Sequence, residues 1–244
     1  MFSKRNDEEQ SHWISFTDLV SGFMIVFIVV SLVALGQIKP EEKTKISIPD
    51  PKILEPDSTD TTPEGKYREI VDIFGKRLKG WEAVEIADSA TIRFSVKSTS
   101  TSPLFRQNES RLTTYFRSIL DRFIPIYLDE LNKLYRQQES QSFAIREIRI
   151  EGHTDPLSDY LYNLELSSKR AFEVQKYILS HKEIKKYAGE FQKFMEEYSI
   201  ACGYSFSRTL NDNGKRVDHR IRKEVNFDKS RRVEFRIILE QKSK

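Results

Sequence analysis

Residues 150–171 read IEGHTDPLSDYLYNLELSSKRA, and this stretch decides the fold. Ile148 and Ile150 alternate with polar residues, so Ile145 to Glu151 forms a strand with one apolar face. The chain then turns at Asp155-Pro156, and an amphipathic helix follows over roughly 158–181. Asp155 lies at the strand end, in a loop where backbone N–H groups are free. Asn163 and Arg170 are seven residues apart, two helical turns, and share one face. That face can meet the strand end. An acid beside a guanidinium can grip an amino acid zwitterion, Asp155 on the ammonium and Arg170 forked onto the carboxylate. The same pair also reads as a structural Asp155–Arg170 salt bridge locking helix to strand.

Elements on either side continue the alternation. Tyr67, Ile70, Val71, Phe74 and Leu78 fall at helical spacing, with Gly80 to end the helix. Ile92, Phe94 and Val96 mark strands over 83–96. Leu112, Tyr115, Phe116, Ile119, Leu120, Phe123 and Tyr127 line a long amphipathic helix. Residues 185–198 read as helical. Val233, Phe235 and Ile237 alternate near the end, as in an edge or half-buried strand. The expected fold is a two-layer α/β (α+β) sandwich over 67–244, long enough to bury a real core.

Several short motifs occur in the order found in OmpA-like peptidoglycan-binding domains, and residues 85–240 resemble that family. They are Ile150-Glu151-Gly152-His153-Thr154-Asp155, Tyr162-Asn163, Leu166-Ser167-x-x-Arg170-Ala171, Gly203-Tyr204 and Arg231-Arg232-Val233-Glu234. Ser205 stands where the family's turn ends in glycine, and Ser230 where its last motif begins with asparagine. Ser102 to Leu112 loosely fits its Leu-Phe-x(n)-Leu segment. The resemblance implies that Asp155 and Arg170 are the principal ligand-binding residues, Asn163 an accessory one, and Arg231 an arginine near the groove. The implied ligand is the diaminopimelate of a peptidoglycan stem peptide, which carries the matching charge pair. His153 reads as structural, since a lone histidine is weak evidence for a metal. Two departures are the added helix at 185–198 and the long 205–230 connection. Between Arg208 and Arg232 the latter holds nine Lys/Arg against four Asp/Glu. It reads as a solvated loop, or as a contact for a second partner or an anionic wall polymer.

The start of the chain is of another kind. Leu19 to Ile38 is a run of 20 residues without a charge. As a helix it spans ~30 Å, the hydrocarbon thickness of a bilayer. With Trp13 and Phe16 at its edge, residues 14–38 read as one transmembrane helix after a short tail, 1–13. The rival is a cleaved signal peptide, with Ala34-Leu35-Gly36 at a peptidase's spacing. Asp7, Glu8, Glu9 and Asp18 count against it. Asp18 directly precedes the run. It reads either as the helix N-cap or as an ion-carrying carboxylate, since such groups in spans face a partner or a water path. Residues 39–66 contain five of the eight prolines and read as a linker reaching at most about 90–100 Å when stretched.

Trp13-Ile14-Ser15-Phe16-Thr17-Asp18-Leu19, followed by an aliphatic helix, resembles the opening of the B subunits of ion-driven stator motors. That family includes a flagellar type and a Zorya anti-phage defence type, and the short tail and absent plug helix favour the latter. The resemblance implies an ion-translocating role for Asp18, transport of H⁺ or Na⁺, a homodimer, and a ring of multi-span A subunits. It also implies an inner-membrane protein with a cytoplasmic N-terminus and a periplasmic C-terminal domain. Lys39, Lys43 and Lys45 after the span oppose that orientation slightly.

Composition agrees with such a class. Lys+Arg 40 against Asp+Glu 37 leaves a charge of +3, too small for a chain built to bind nucleic acid. The one cysteine, Cys202, excludes an intrachain disulfide and a multi-thiolate zinc site. No catalytic motif is found, so no enzyme is expected. A passive wall anchor without ion transport is the alternative from another class.

Overall fold

A computed structural model describes Met24 and residues 62–87, 90–97 and 100–242. The expected span at 14–38 (Met24 apart), Asp18 within it, and nearly all of the 39–66 linker lie outside these residues. Among the described residues no helix is long and apolar enough to cross a membrane.

Helix α1, Pro63–Arg77, opens where its sequence says a helix can start. Thr62 accepts a hydrogen bond from the Gly65 N–H at 3.2 Å, and Pro63 takes the first helical position. The helix thus begins inside the last residues of the proline-rich stretch. Beyond its end, Gly80 turns the chain with φ +77°, a conformation glycine adopts without a steric penalty. Strands β1, Val84–Ala87, and β2, Thr91–Ser95, form an antiparallel hairpin.

Helix α2, Thr114–Gln137, runs ten residues beyond Tyr127, past an internal Pro125. Burial of Leu128, Leu131 and Leu134 on its inner face holds the second half in place. Strand β3, Phe143–His153, leads to helix α3, Tyr160–Ser180. A 3₁₀ turn at Lys182–Lys186 precedes helix α4, Gly189–Tyr198, and strand β4, Ser199–Gly203. A single turn of helix α5, Phe227–Ser230, enters strand β5, Arg232–Gln241.

The sheet order is β1-β2-β5-β3-β4, with β3 and β4 parallel and the other neighbours antiparallel. β5 therefore lies at the centre of the sheet, not at an edge. Its inner residues Val233, Phe235 and Ile237 are buried under the helices. Phe235 meets Phe94, Phe123 and Tyr127 edge-on at centroid distances of 5.3, 5.1 and 5.3 Å. The two-layer α/β sandwich expected from the sequence is the observed architecture.

The outer face of β5 is also covered. The 205–230 connection folds back over it, burying Ser205, Thr209, Leu210, Val225 and Ser230. The solvated-loop reading is corrected to this extent, although Arg220, Arg222 and Lys223 stay exposed. The cause is charge on the sheet below: Arg208 reaches down to Glu151 at 2.8 Å and Lys229 to Glu85 at 3.8 Å.

Two glycines let α3 sit directly on the strand ends. Gly152 and Gly203 are paired across β3 and β4. A Cβ at Gly152 would lie 2.1 Å from the Ser167 carbonyl oxygen, and one at Gly203 would lie 2.4 Å from the Ser168 backbone N. Gly75, by contrast, is an exposed helical position with nothing within 4 Å. Gly152→Ala should therefore cost about 2 kcal/mol or more through overpacking. Gly75→Ala should stabilise by up to about 1 kcal/mol. Urea denaturation of the full chain, followed by tryptophan fluorescence, checks both; equal effects of the two substitutions would contradict the close approach.

Candidate functional site

At the C-terminal end of β3 the chain makes a tight, hydrogen-bonded loop. The Asp155 carboxylate accepts the Leu157 N–H at 3.1 Å, and Asp159 accepts the Tyr162 N–H at 3.0 Å to cap α3. Asn163 is buried, and its amide donates to the Ser158 carbonyl at 3.0 Å and to the Asp155 carbonyl at 3.4 Å. It ties the loop to the helix. Ser205 holds the other side with φ 50°, a left-handed conformation that costs a non-glycine residue ~1–2 kcal/mol. Three bonds offset that cost. Its N–H donates to Ser167 Oγ at 3.0 Å, its hydroxyl to the Tyr160 carbonyl at 3.0 Å, and its carbonyl accepts from Thr154 N–H at 2.9 Å.

Asp155, Arg170 and Arg231 line one pocket of about 390 Å³. Val96, Lys97, Ser100 and the stretch from Pro103 to Gln107 line it too. Asp155 pairs with Arg231, 2.6 Å from Nη1, not with Arg170. The Asp155–Arg170 salt bridge considered from spacing is absent. Arg170 instead donates through Nε to the Glu109 carbonyl at 3.0 Å and through Nη2 to the Arg106 carbonyl at 3.3 Å. Its guanidinium lies 4.9 Å from the Phe105 ring centroid. Burial pulls its pKa down to about 10, with Asp155 acting to raise it, so the group stays charged at neutral pH. Arg231 is shared, its Nη2 bonded to Asp228. The arrangement can hold an anion on Arg170 and a cation against Asp155.

Behind the pocket lies a buried charge network. Glu151 and Glu234 are direct cross-strand partners. Glu234 accepts from Arg232 Nε at 2.7 Å, Arg93 Nε at 2.9 Å and Arg236 Nη2 at 3.0 Å. Burial alone would push the Glu234 carboxyl up, but Arg232, His153 and Arg93 hold it far below the usual carboxylate range. His153 stacks on Tyr204 at 5.3 Å, and the Arg208 guanidinium lies 3.5 Å from the Tyr204 ring centroid.

Among the described residues, Glu151, His153 and Glu234 are placed at metal-ligand spacing. Their carboxylates are already occupied by guanidinium groups, and a dication there would be repelled by those cations. The trio fits a structural network better than a metal site. A second, mostly apolar pocket of about 500 Å³ lies between α1 and α2 and contains none of the candidate residues.

Arg93, Arg232 and Glu234 were not singled out from the sequence as site supports. The signal was present: Arg232, Glu234 and Arg236 alternate with the apolar residues of β5. The residues from Pro103 to Gln107 had only the loose Leu-Phe-x(n)-Leu fit of Ser102 to Leu112 to mark them, and Lys97 had none, because this part of the chain has no regular period.

The OmpA family model matches residues 104–193. Zorya protein ZorB of Escherichia coli (strain Crooks) is 28% identical over 243 residues, covering 96% of this chain and 90% of that protein. Zorya protein ZorB of Escherichia coli O139:H28 is 24% identical, covering 95% and 90%. Among solved structures, a putative MotB-like protein from Desulfovibrio vulgaris has a TM-score of 0.42 at 21% identity, covering 75% of this chain and 93% of that one. The similarity to Zorya protein ZorB thus runs along nearly the whole chain, and the OmpA match falls within its C-terminal α/β domain.

The network makes stability depend on pH. Burial, helped by Arg232, lowers the His153 pKa to about 4, against the pull of Glu151 and Glu234. An unfolded histidine takes up its proton near pH ~6.5. The unfolded chain therefore binds more protons as pH falls from there, and stability is lost progressively down to about pH 4. The depressed carboxylates Glu151 and Glu234 act in the same direction at lower pH. Between pH 7 and pH 5 the His153 share of the loss is roughly 2 kcal/mol. Denaturant midpoints at the two pH values should show this loss in the wild type and a smaller one in His153→Gln; equal losses would contradict it.

Proposed function

We propose that the chain is the wall-anchored B subunit of an ion-driven inner-membrane motor of the Zorya defence type. The observation that carries this reading is the near full-length similarity to Zorya protein ZorB, spanning both the Asp18 segment and the OmpA-like domain. In this reading one helix, residues 14–38, crosses the inner membrane from a cytoplasmic N-terminus. The proline-rich linker carries the C-terminal domain into the periplasm.

The two ends have complementary tasks. Asp18 takes up and releases a proton, or interacts with Na⁺, in a path shared with a multi-span A-type subunit. A carboxylate within a membrane span faces a partner helix or a water-filled path, which favours such a partner. The domain holds the stem peptide of peptidoglycan: Arg170 takes a carboxylate of diaminopimelate and Asp155 its ammonium. Arg231 orients Asp155, to which it is bonded at 2.6 Å. Asn163 acts through the loop it ties together. By resemblance two copies of the chain sit inside a ring of A subunits. Torque needs both ends, because an unanchored pair would turn without load. The role is mechanical and transport-linked, with no enzymatic step.

Phage plating on cells carrying the native operon tests this. The wild type should lower plating efficiency, and Asp18→Asn at matched expression should lose that protection. Protection that is unchanged in Asp18→Asn would remove ion coupling and leave a passive wall anchor. Rescue of motility without phage protection would assign the flagellar type. A mature N-terminus at Gln37 would sink the motor reading outright.

A further inference from the structure

The pocket holds more positive charge than one zwitterion needs. Five basic side chains line it, Lys97, Arg106, Arg170, Arg231 and Arg232, against the single acid Asp155. Two of the five are neutralised locally. Arg232 is paired with Glu234 at 2.7 Å, and Arg231 is shared by Asp155 and Asp228. Lys97, Arg106 and Arg170 have no ion-pair partner among the described residues.

Arg170 is the informative member. It is only 9% exposed, and its Nε and Nη2 are spent on backbone carbonyls. Its Nη1 has no hydrogen-bond partner among the described residues. A buried guanidinium with a free N–H and no direct ion-pair partner gains most from an incoming carboxylate, because charge-assisted bonds are about twice as strong as neutral ones. Lys97 and Arg106 are exposed and line the same pocket, where a second anionic group beside the one on Arg170 would meet them. Asp155 is partly satisfied already, both its oxygens being engaged by Leu157 N–H and Arg231.

We infer that the pocket selects a peptide carrying two carboxylates, one seated on Arg170 and the other against Lys97 and Arg106. This rests on the wall-binding reading above. A stem peptide offers such a pair: a carboxylate of diaminopimelate and the free α-carboxylate of the adjoining γ-linked D-glutamate. Amidation of that glutamate removes one charge without changing the shape. The site therefore discriminates between amidated and unamidated wall.

Calorimetric titration of the full chain in detergent tests this, with two synthetic probes. One is L-Ala-γ-D-Glu-meso-diaminopimelate, and the other is the same peptide with the glutamate α-carboxamide. The free acid should bind about 10-fold tighter, the loss expected for one charge-assisted contact. The double variant Lys97→Gln/Arg106→Gln changes exposed residues only. It should weaken the free acid about 10-fold and leave the amide nearly unchanged, closing the gap. Equal affinities in the wild type, or an intact gap in the double variant, would overturn the inference while wall binding stands. Failure of both peptides to bind the wild type would overturn the wall-binding reading itself.

Discussion

Glu151 and Glu234 stand directly opposite each other on neighbouring central strands, both fully buried. Like charges in that position repel, and neither can reach water. Guanidinium groups from several elements resolve the conflict: Arg93 from β2, Arg232 and Arg236 from β5, and Arg208 from the long connection. A network of this kind need not be more stabilising than an apolar substitute. Loss of one partner is nevertheless expensive, ~3–5 kcal/mol, because it leaves a buried charge unpaired. Register is thereby enforced. A one-residue slip of β5 would turn its arginines and glutamate into the apolar core and its Phe235 outward.

The pocket inherits its geometry from this arrangement. The connection that supplies Arg208 ends at Arg231, which reaches Asp155 from the strand side. On the helix side, Gly152 and Gly203 let α3 settle on the strand ends, and Arg170 follows one turn after Ser167. Residues 103–107 complete the lining, with Phe105 under the Arg170 guanidinium. Each charged group is thus fixed by a different element and pre-positioned before any ligand arrives. Rigid placement leaves little conformational cost to be met at binding.

Much of this was legible locally. The 3.6-residue period of α2 and α3 and the two-residue period of β3 and β5 are strong, so the two-layer sandwich follows from pattern alone. Asp155, Arg170 and Arg231, picked out by motif, line one pocket. Pairing within the group was not legible. Asp155 and Arg231 are 76 residues apart, and helical spacing favoured Arg170 instead. Strand β4, SIACG, is too short and too weakly alternating to announce itself. The half-buried reading of β5 counted only its inner residues. Its outer charges are buried by a connection whose composition reads as loop, and only tertiary pairing with Glu151 and Glu85 reveals the cover.

In the proposed function, the pocket lined by Asp155, Arg170 and Arg231 holds the cell wall. Co-sedimentation of the detergent-solubilised full chain with purified sacculi tests it most directly, with Arg170→Leu beside the wild type and thermal melting as a folding control. The account predicts that wild type pellets with the sacculi and that folded Arg170→Leu stays in the supernatant. A wild type that stays in solution, or a variant that pellets equally well, would contradict it.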